Sequence, residues 1–214
     1  MLKASLSLWS ADLSNLESEI KKSEPYADYY HLDVADGRYA ETLLFFPDLV
    51  KAIRPHTQVP FEIHLICEEP GKWIEPFHEA GADRIIFYPG TPADPVRIVR
   101  EIQTREMGVG VSLALGQGIE ELDPYWDDLE MVVVLGTDVG VKGVVTVAEG
   151  TYEKIEALVE ERERRGLDFE IEADGAIRKE TVPLLAKAGA DVIVPGSLMF
   201  KNDMREIKEW MRGL

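Results

Sequence analysis

Four ionisable side chains lie near the carboxyl ends of predicted strands. His31 and Asp33 are two positions apart, so an extended chain places both on one face. His64 lies on the next predicted strand, and Asp174 follows the seventh. Two neutral imidazoles and two carboxylates suit a divalent transition metal such as zinc, iron, manganese or cobalt. Any one of these residues alone would be an ordinary polar residue at a strand end, and His-x-Asp alone is a weak motif.

Other polar residues are given structural roles. We expect His56 and His78 to be surface residues in a loop and on a helix, and Cys67 to be an inert buried thiol. Asp36 precedes a glycine and is typical of turn chemistry. Glu172 lies two positions before Asp174, and we expect it to pair with a polar group of a neighbouring strand.

Glycines follow the late strands and predict a phosphate site. They lie in the segments 136–143, 174–176 and 196–197. Glycine allows a ligand to approach the backbone closely, and barrels often bind phosphate at the loops after strands seven and eight. Every barrel also uses glycine in ordinary turns, so Gly196-Ser197, directly after the last strand, is the more informative pair. Lys142 could add a positive charge.

Apolar runs alternate with amphipathic stretches along the whole chain. The runs predict eight strands, at 3–9, 28–34, 61–66, 84–88, 107–113, 130–135, 168–173 and 191–195. A helix capped at 10–12 would place Leu13, Leu16 and Ile20 on one side, and another would bury Trp73, Ile74 and Phe77. Further helices are predicted at 46–54, 93–105, 118–126, 151–165, 178–188 and 201–213.

This alternation predicts an α/β protein, a single (β/α)8 barrel formed by residues 1–214 as one domain. No G-x-G-x-x-G segment follows the first strand, which disfavours a doubly wound open sheet. The segment "EAGADRIIFYPG" at 79–90 recurs in shorter form as "KAGADVIVPGS" at 187–197. In both, a helix is expected to end at a glycine, Gly81 or Gly189. Active sites of such barrels lie at the carboxyl ends of the strands.

Composition limits the classes of partner. The 214 residues carry 23 basic and 40 acidic side chains, a formal net charge of −17. Such a surface repels phosphate backbones and anionic lipid, so we expect neither a nucleic acid nor a membrane partner. One cysteine cannot form an internal disulfide, and the amino-terminal residues lack the apolar run of a secretory signal. We expect a cytoplasmic protein.

Several segments carry a resemblance to a known family. The chain resembles ribulose-phosphate 3-epimerases and the related allulose-6-phosphate 3-epimerases from the first strand to the last. The His-x-Asp-x-x-Asp-Gly and Glu-x-Asp-Gly motifs are the most specific parts. The matching segments are "SLWSADLSNL" (7–16), "YHLDVADGRY" (30–39), "FEIHLI" (61–66), "EIEADGAI" (170–177) and "AGADVIVPGS" (188–197).

The resemblance implies roles for individual residues. His31, Asp33, His64 and Asp174 would bind one divalent metal ion per subunit, and Asp33 and Asp174 would be the catalytic acid and base. Ser7 would touch a sugar phosphate, whose phosphate would lie against Gly140, Gly143, Gly175, Ala176, Gly196 and Ser197. Inversion beside a ketone needs a proton removed on one face and returned on the other, and two carboxylates can do so. Relatives form dimers to hexamers, so we expect a homo-oligomer. Phe45-Phe46 and Trp126 are candidate contact residues, although core packing would explain them equally well.

The chain departs from the family pattern on the substrate-facing walls. Ala35, Ile66 and Leu135 or Gly136 replace methionines near the metal. Glu41-Thr42 replaces Pro-Asn, Tyr88-Pro89-Gly90 replaces His-Pro-Glu, Ala114-Leu115 replaces Asn-Pro, and the loop Gly140-Val141-Lys142-Gly143 has a lysine in place of one glycine. We infer that this chain keeps proton transfer at the carbon beside a carbonyl group. The sequence does not determine which sugar is the substrate.

Three hypotheses compete. The first is a metal-dependent epimerase or related isomerase of a ketose or ketose phosphate. The second is a decarboxylase or aldolase on a similar barrel, which is disfavoured because the decarboxylases need a lysine in an Asp-x-Lys-x-x-Asp segment and residues 33–36 contain none. The third is a non-catalytic barrel, which the altered loops favour. Four converging ionisable groups argue against it, because they are costly without a ligand.

Overall fold

Eight parallel strands close into a barrel in the computed structural model, which describes residues 1–214. The strands β1 to β8 are Lys3–Ser7, Tyr29–Ala35, Phe61–Ile66, Arg84–Phe87, Gly108–Leu113, Met131–Leu135, Glu170–Asp174 and Val192–Ile193. The helices α1 to α8 are Leu16–Ser23, Pro47–Ile53, Ile74–Ala80, Pro95–Gln103, Thr151–Arg165, Val182–Ala188, Ser197–Phe200 and Met204–Arg212. The predicted (β/α)8 barrel is confirmed.

Side chains alternate between two apolar layers along each strand. On β2, Tyr30, Leu32 and Val34 belong to the large cluster that packs the sheet against the helices. Ala35 belongs to a smaller cluster with Ile86 and other inward side chains. Since neighbouring positions on a strand face opposite ways, His31 and Asp33 share the inner face with Ala35. The barrel interior is therefore where polar residues of the strands meet.

The first helix begins later than predicted. β1 ends at Ser7, a 3₁₀ turn covers Leu8–Ser10, and α1 begins only at Leu16. Asp12 does not cap the helix: its carboxylate accepts hydrogen bonds from the backbone and side chain of Ser14, which holds a separate turn. Leu13 is consequently half-exposed rather than part of the apolar face.

The predicted helix at 118–126 is wrong. Two 3₁₀ turns, Ile119–Leu122 and Trp126–Asp128, occupy this region. Pro124 lies inside the predicted segment and cannot donate a backbone hydrogen bond, so a continuous helix would lose a hydrogen bond there. The helix predicted at 151–165, which has no proline, has the same bounds in the structure.

Three aspartates hold the amino ends of the strands. Asp28, Asp83 and Asp191 each come just before a strand, β2, β4 and β8. Each carboxylate accepts a backbone N–H of a neighbouring strand, from Ala4 at 2.8 Å, Phe61 at 2.7 Å and Ile171 at 2.9 Å respectively. We call this set the aspartate latches. Two of them are the aspartates of the repeated Gly-Ala-Asp segment, whose glycines end α3 and α6 with φ of +91° and +111° as predicted.

The remaining structural expectations have mixed outcomes. Cys67 is buried, and His78 is exposed, as predicted, whereas His56 is partly covered. Trp126 is buried against Phe169, with ring centroids 5.9 Å apart, so it is a core residue and not an oligomer contact. None of the helices has the length and apolar character needed to cross a membrane.

Candidate active site

The four ionisable side chains singled out in the sequence converge inside one end of the barrel. Asp33 on β2 is in register with His64 on β3, and Asp174 ends β7. The nearest ligand atoms of His31, Asp33, His64 and Asp174 all lie within 4.8 Å of one another. Strand register aligns Asp33 with His64, and closure of the barrel brings Asp174 of β7 close to them.

His31 is at the centre of this group. Its Nε2 lies 3.1 Å from His64 Nδ1, 3.3 Å from Asp33 Oδ1 and 4.0 Å from Asp174 Oδ2. The His31 side chain is fully buried. Burial by itself lowers the pKa of a histidine, but the nearby carboxylates, Asp33 foremost, outweigh it and raise the pKa of His31 well above its usual value.

The two aspartates have opposite electrostatic environments. Burial by itself would raise the pKa of Asp33, yet His31 and His64 outweigh it and hold that pKa well below its ordinary value. Burial raises the pKa of Asp174, and the charge of Asp33 adds to this effect. A pair of carboxyl groups whose pKa values are pushed apart is typical of an acid and a base that work together.

The donor set fits a divalent metal ion. His31 Nε2 and His64 Nδ1 lie 3.3 Å and 3.4 Å from Asp33 Oδ1, so two imidazole nitrogens and a carboxylate oxygen face one another. Two imidazole nitrogens and two carboxylate oxygens are a ligand set that zinc, iron, manganese and cobalt accept. The negative charge of the Asp33 carboxylate also favours a cation at this position.

A cavity of about 440 Å³ opens above this cluster at the carboxyl ends of the strands. Asp33, His64 and Asp174 line its floor, and His31 lies buried beneath. The other sequence-predicted site residues that line the cavity are Ser7, Gly140, Lys142, Gly143, Gly175, Ala176, Gly196 and Ser197. The Ser7 hydroxyl also donates a hydrogen bond to Asp33 Oδ2 at 3.1 Å.

One end of the cavity, which we call the glycine-lined end, is formed by Gly140, Gly143, Gly175 and Gly196. Backbone geometry keeps side chains out of it. Gly175 has φ of +91°, and a Cβ there would lie 2.5 Å from Thr137 Oγ1. A Cβ on Gly196 would lie 2.4 Å from Ser10 Oγ. Gly175 therefore needs glycine, a side chain at Gly196 would displace that of Ser10, and backbone is left facing this end of the cavity.

Two further basic side chains, which the sequence analysis did not identify, line the cavity. Arg178 and Lys201 line the same cavity as Lys142. The Arg178 guanidinium donates to the carbonyl oxygens of Ile177 and Val144, each at 2.7 Å, which ties the turn after β7 to the loop 140–144. The position of Arg178, in the turn that follows Asp174-Gly175, was the sequence signal available for it.

Several residues that depart from the family pattern form an aromatic and aliphatic side of the cavity. Tyr88 is fully buried and stacks on His64, with ring centroids 5.2 Å apart and planes at 26°. Tyr39 also packs on Tyr88, with ring centroids 4.9 Å apart. Ile66 and Leu135 lie in the same apolar cluster, so rigid side chains line the wall on which the family has methionine.

Comparison with known proteins assigns the family. The model of the family described as Ribulose-phosphate 3 epimerase matches residues 3–200. The chain belongs to the ribulose-phosphate 3-epimerase family. Ribulose-phosphate 3-epimerase of Treponema pallidum is 34% identical over 94% of this chain and 92% of its own length. That of Bacillus subtilis is 32% identical over 100% and 99%.

Membership of the ribulose-phosphate 3-epimerase family confirms the predicted enzyme class, an isomerase of the epimerase type that acts on carbohydrates. Solved structures at lower identity share the fold alone. KGPDC from Streptococcus mutans aligns with a TM-score of 0.77 at 13% identity, over 99% of this chain and 97% of its own. A mutant tryptophan synthase alpha-subunit from Pyrococcus furiosus aligns with a TM-score of 0.65 at 16% identity, covering 99% and 95%.

Proposed function

We propose that this protein epimerises a ketose phosphate, with ribulose 5-phosphate as the first candidate, at the carbon next to the ketone. The observation that carries the proposal is the pair Asp33 and Asp174, which have oppositely shifted pKa values and come from two strands that meet at the cavity floor. The names of the relatives support the choice of sugar.

The two aspartates would move the protons. In one direction the ionised carboxylate, Asp33, removes the C3 proton from one face, and the protonated carboxyl of Asp174 returns a proton to the other face. In the reverse direction the roles exchange. The Ser7 hydroxyl, which donates to Asp33 Oδ2, would hold that carboxylate in a fixed orientation.

His31, Asp33, His64 and Asp174 would hold one divalent ion. When bound, the ion would supply Lewis-acid stabilisation of the negative charge that develops on the substrate, an effect worth several kcal/mol. Tyr88 and Ile66 cover the side of the cavity next to His64, where they would exclude water from the reacting carbon.

The glycine-lined end would bind the phosphate. Backbone from Gly140, Gly143, Gly175, Ala176, Gly196 and Ser197 lines it. Lys142 extends over the same end, where its ammonium donates to the carbonyl oxygen of Trp9 at 2.6 Å. These local cations give the cavity an anion-binding end although the chain as a whole carries a charge of −17.

Solvent isotope exchange tests the proposed function. The protein, supplied with a divalent metal, is incubated in heavy water with ribulose 5-phosphate, xylulose 5-phosphate and the corresponding hexulose 6-phosphates. We expect one of these to gain deuterium at C3 and to convert to its epimer, as followed by NMR. Conversion of a hexulose phosphate alone would replace the proposed substrate, and absence of exchange with every ketose phosphate would contradict the proposal.

Arg178 gives a prediction about substrate binding. We expect Arg178→Met to raise the KM for the sugar phosphate by roughly tenfold, which corresponds to about 1.4 kcal/mol of lost binding. The cause is loss of a cation and of the tie between the turn after β7 and the loop 140–144. Lys179→Met, which removes the exposed neighbouring charge, is the matched control. Equal KM values for the two variants would show that Arg178 has no part in the phosphate site.

A further inference from the structure

A second polar group lies inside the barrel beneath the candidate metal ligands. It consists of His31, Glu62 on β3 and Glu172 on β7, all with under 2% of their surface exposed. One ligand atom from each lies within 4.8 Å of the others. Nothing in the proposed proton transfer uses the glutamates, and burying two carboxylates is costly unless they have partners.

His31 connects the two groups through opposite sides of its ring. Nε2 faces Asp33, His64 and Asp174, whereas Nδ1 faces the glutamates. Glu62 Oε1 lies 3.1 Å from Nδ1 within hydrogen-bond geometry. Glu172 Oε1 lies 3.3 Å from the same nitrogen outside that geometry, and neither oxygen of Glu172 has a hydrogen-bond partner.

Glu62 is the better placed of the two to accept a hydrogen bond. Arg84 Nη1 donates to Glu62 Oε2 at 3.2 Å, and the Ser5 hydroxyl donates to Oε1. Arg84 is itself largely enclosed, with 13% of its side chain exposed. A buried guanidinium beside Glu62 favours its carboxylate form, which only accepts hydrogen bonds.

We propose that Glu62 is a positioning residue, which accepts the Nδ1–H of His31 and thereby fixes the tautomer whose Nε2 lone pair faces Asp33, His64 and Asp174. The opposite tautomer would direct a bare Nδ1 lone pair at an oxygen that cannot donate. This inference rests on the proposed function for the identity of the metal ligands. Outer partners of this kind typically change metal affinity by about 10–100-fold when replaced.

Glu62→Gln and Glu130→Gln form a matched pair for the test. Glu130 also forms an ion pair with Arg84, with its Oε2 3.8 Å from Nη2, and its side chain is 60% exposed. Both variants alter the surroundings of Arg84, but only Glu62→Gln alters the partner of His31 Nδ1. Glu62→Asp keeps the carboxylate in case the amide variant fails to fold.

The first readout is the tautomer, measured by ¹⁵N NMR of the imidazole rings in metal-free protein at a pH at which the rings are neutral. The chain has 4 histidines, so the spectrum is simple, and His56→Gln and His78→Gln assist assignment. We expect His31 to carry its proton on Nδ1 in the wild type and in Glu130→Gln, and to populate both tautomers in Glu62→Gln. A wild-type proton on Nε2, or an unchanged tautomer in Glu62→Gln, would overturn the proposal.

The second readout is affinity for Mn²⁺ and Zn²⁺, measured by competition with a chromophoric chelator. We expect a loss of about 10–100-fold in Glu62→Gln, partial recovery in Glu62→Asp and no change in Glu130→Gln. Equal affinity in Glu62→Gln and the wild type would also overturn the proposal. Neither readout uses turnover, so a protein with the expected tautomer but no isotope exchange would refute the proposed function and leave this inference standing.

Discussion

Asp174→Asn and Asp33→Asn are each expected to lower net epimerisation by roughly 10²–10⁴-fold, the usual worth of a positioned acid or base. An asparagine keeps the size of the side chain but cannot take up or release a proton at that oxygen. The two variants should nevertheless differ, because the carboxylate that remains can still exchange the proton on its own face of the substrate.

One-sided exchange distinguishes this mechanism from a general loss of activity. In heavy water, each variant is expected to incorporate deuterium into one epimer without converting it to the other, and the favoured epimer should be opposite for the two variants. Proton NMR of both epimers, with metal content measured in parallel, gives the result. Deuterium incorporated equally into both epimers by a single variant would rule out a two-carboxylate mechanism.

Asp36→Asn is the control for these substitutions. Asp36 follows the same strand as Asp33, but its carboxylate accepts hydrogen bonds from the backbone N–H groups of Arg38, Tyr39 and Glu68. It holds the turn and does not line the cavity. The predicted turn role of Asp36 agrees with these contacts, and Asp36→Asn is expected to keep the wild-type rate.

Removal of divalent metal is expected to lower the rate by roughly 10³-fold, since Lewis-acid stabilisation is worth several kcal/mol. Dialysis against a chelator should leave the barrel folded, because the 51-residue core that packs the helices on the sheet does not depend on the ion. Circular dichroism checks the fold, and addition of zinc, iron, manganese or cobalt should restore the rate.

Thermal unfolding provides an independent measure of the same metal site. An ion at one hundred times its Kd stabilises the folded state by about 2.7 kcal/mol, so Mn²⁺ should raise the Tm of the chelated wild type. His64→Gln should abolish this rise, whereas His78→Gln, on the exposed part of α3, should keep it. Full turnover by protein shown by elemental analysis to be metal-free would contradict the metal requirement.

The barrel and the convergence at its mouth were accessible from the sequence because both depend on period-two alternation. His31 and Asp33 share a face whatever the tertiary packing, and parallel strands bring their carboxyl ends to one end of the barrel. Local turn chemistry was less predictable. Asp12 forms a turn with Ser14 instead of capping a helix, and Pro124 interrupts the apolar pattern at 118–126.

Contacts between distant strands were also beyond the sequence. Glu172 was expected to pair with a polar group of a neighbouring strand, but it faces His31 of β2 and the carboxylate of Glu62 across the barrel interior. The burial that raises the pKa of Glu172 well above its usual value arises only on barrel closure, with the charge of Glu62 adding to it. Homo-oligomer formation stays a prediction: Phe46 is exposed, whereas Phe45 is buried.

The aspartate latches have a consequence for how this enzyme can diverge. They join strands at the amino ends, opposite to the mouth where Tyr88 and Ala114 lie. Because the contacts that set strand register are remote from the walls of the cavity, wall residues can be exchanged without loss of the register that aligns Asp33 with His64. Substitutions in the cavity wall can therefore accumulate while the strand alignment beneath the cavity is preserved.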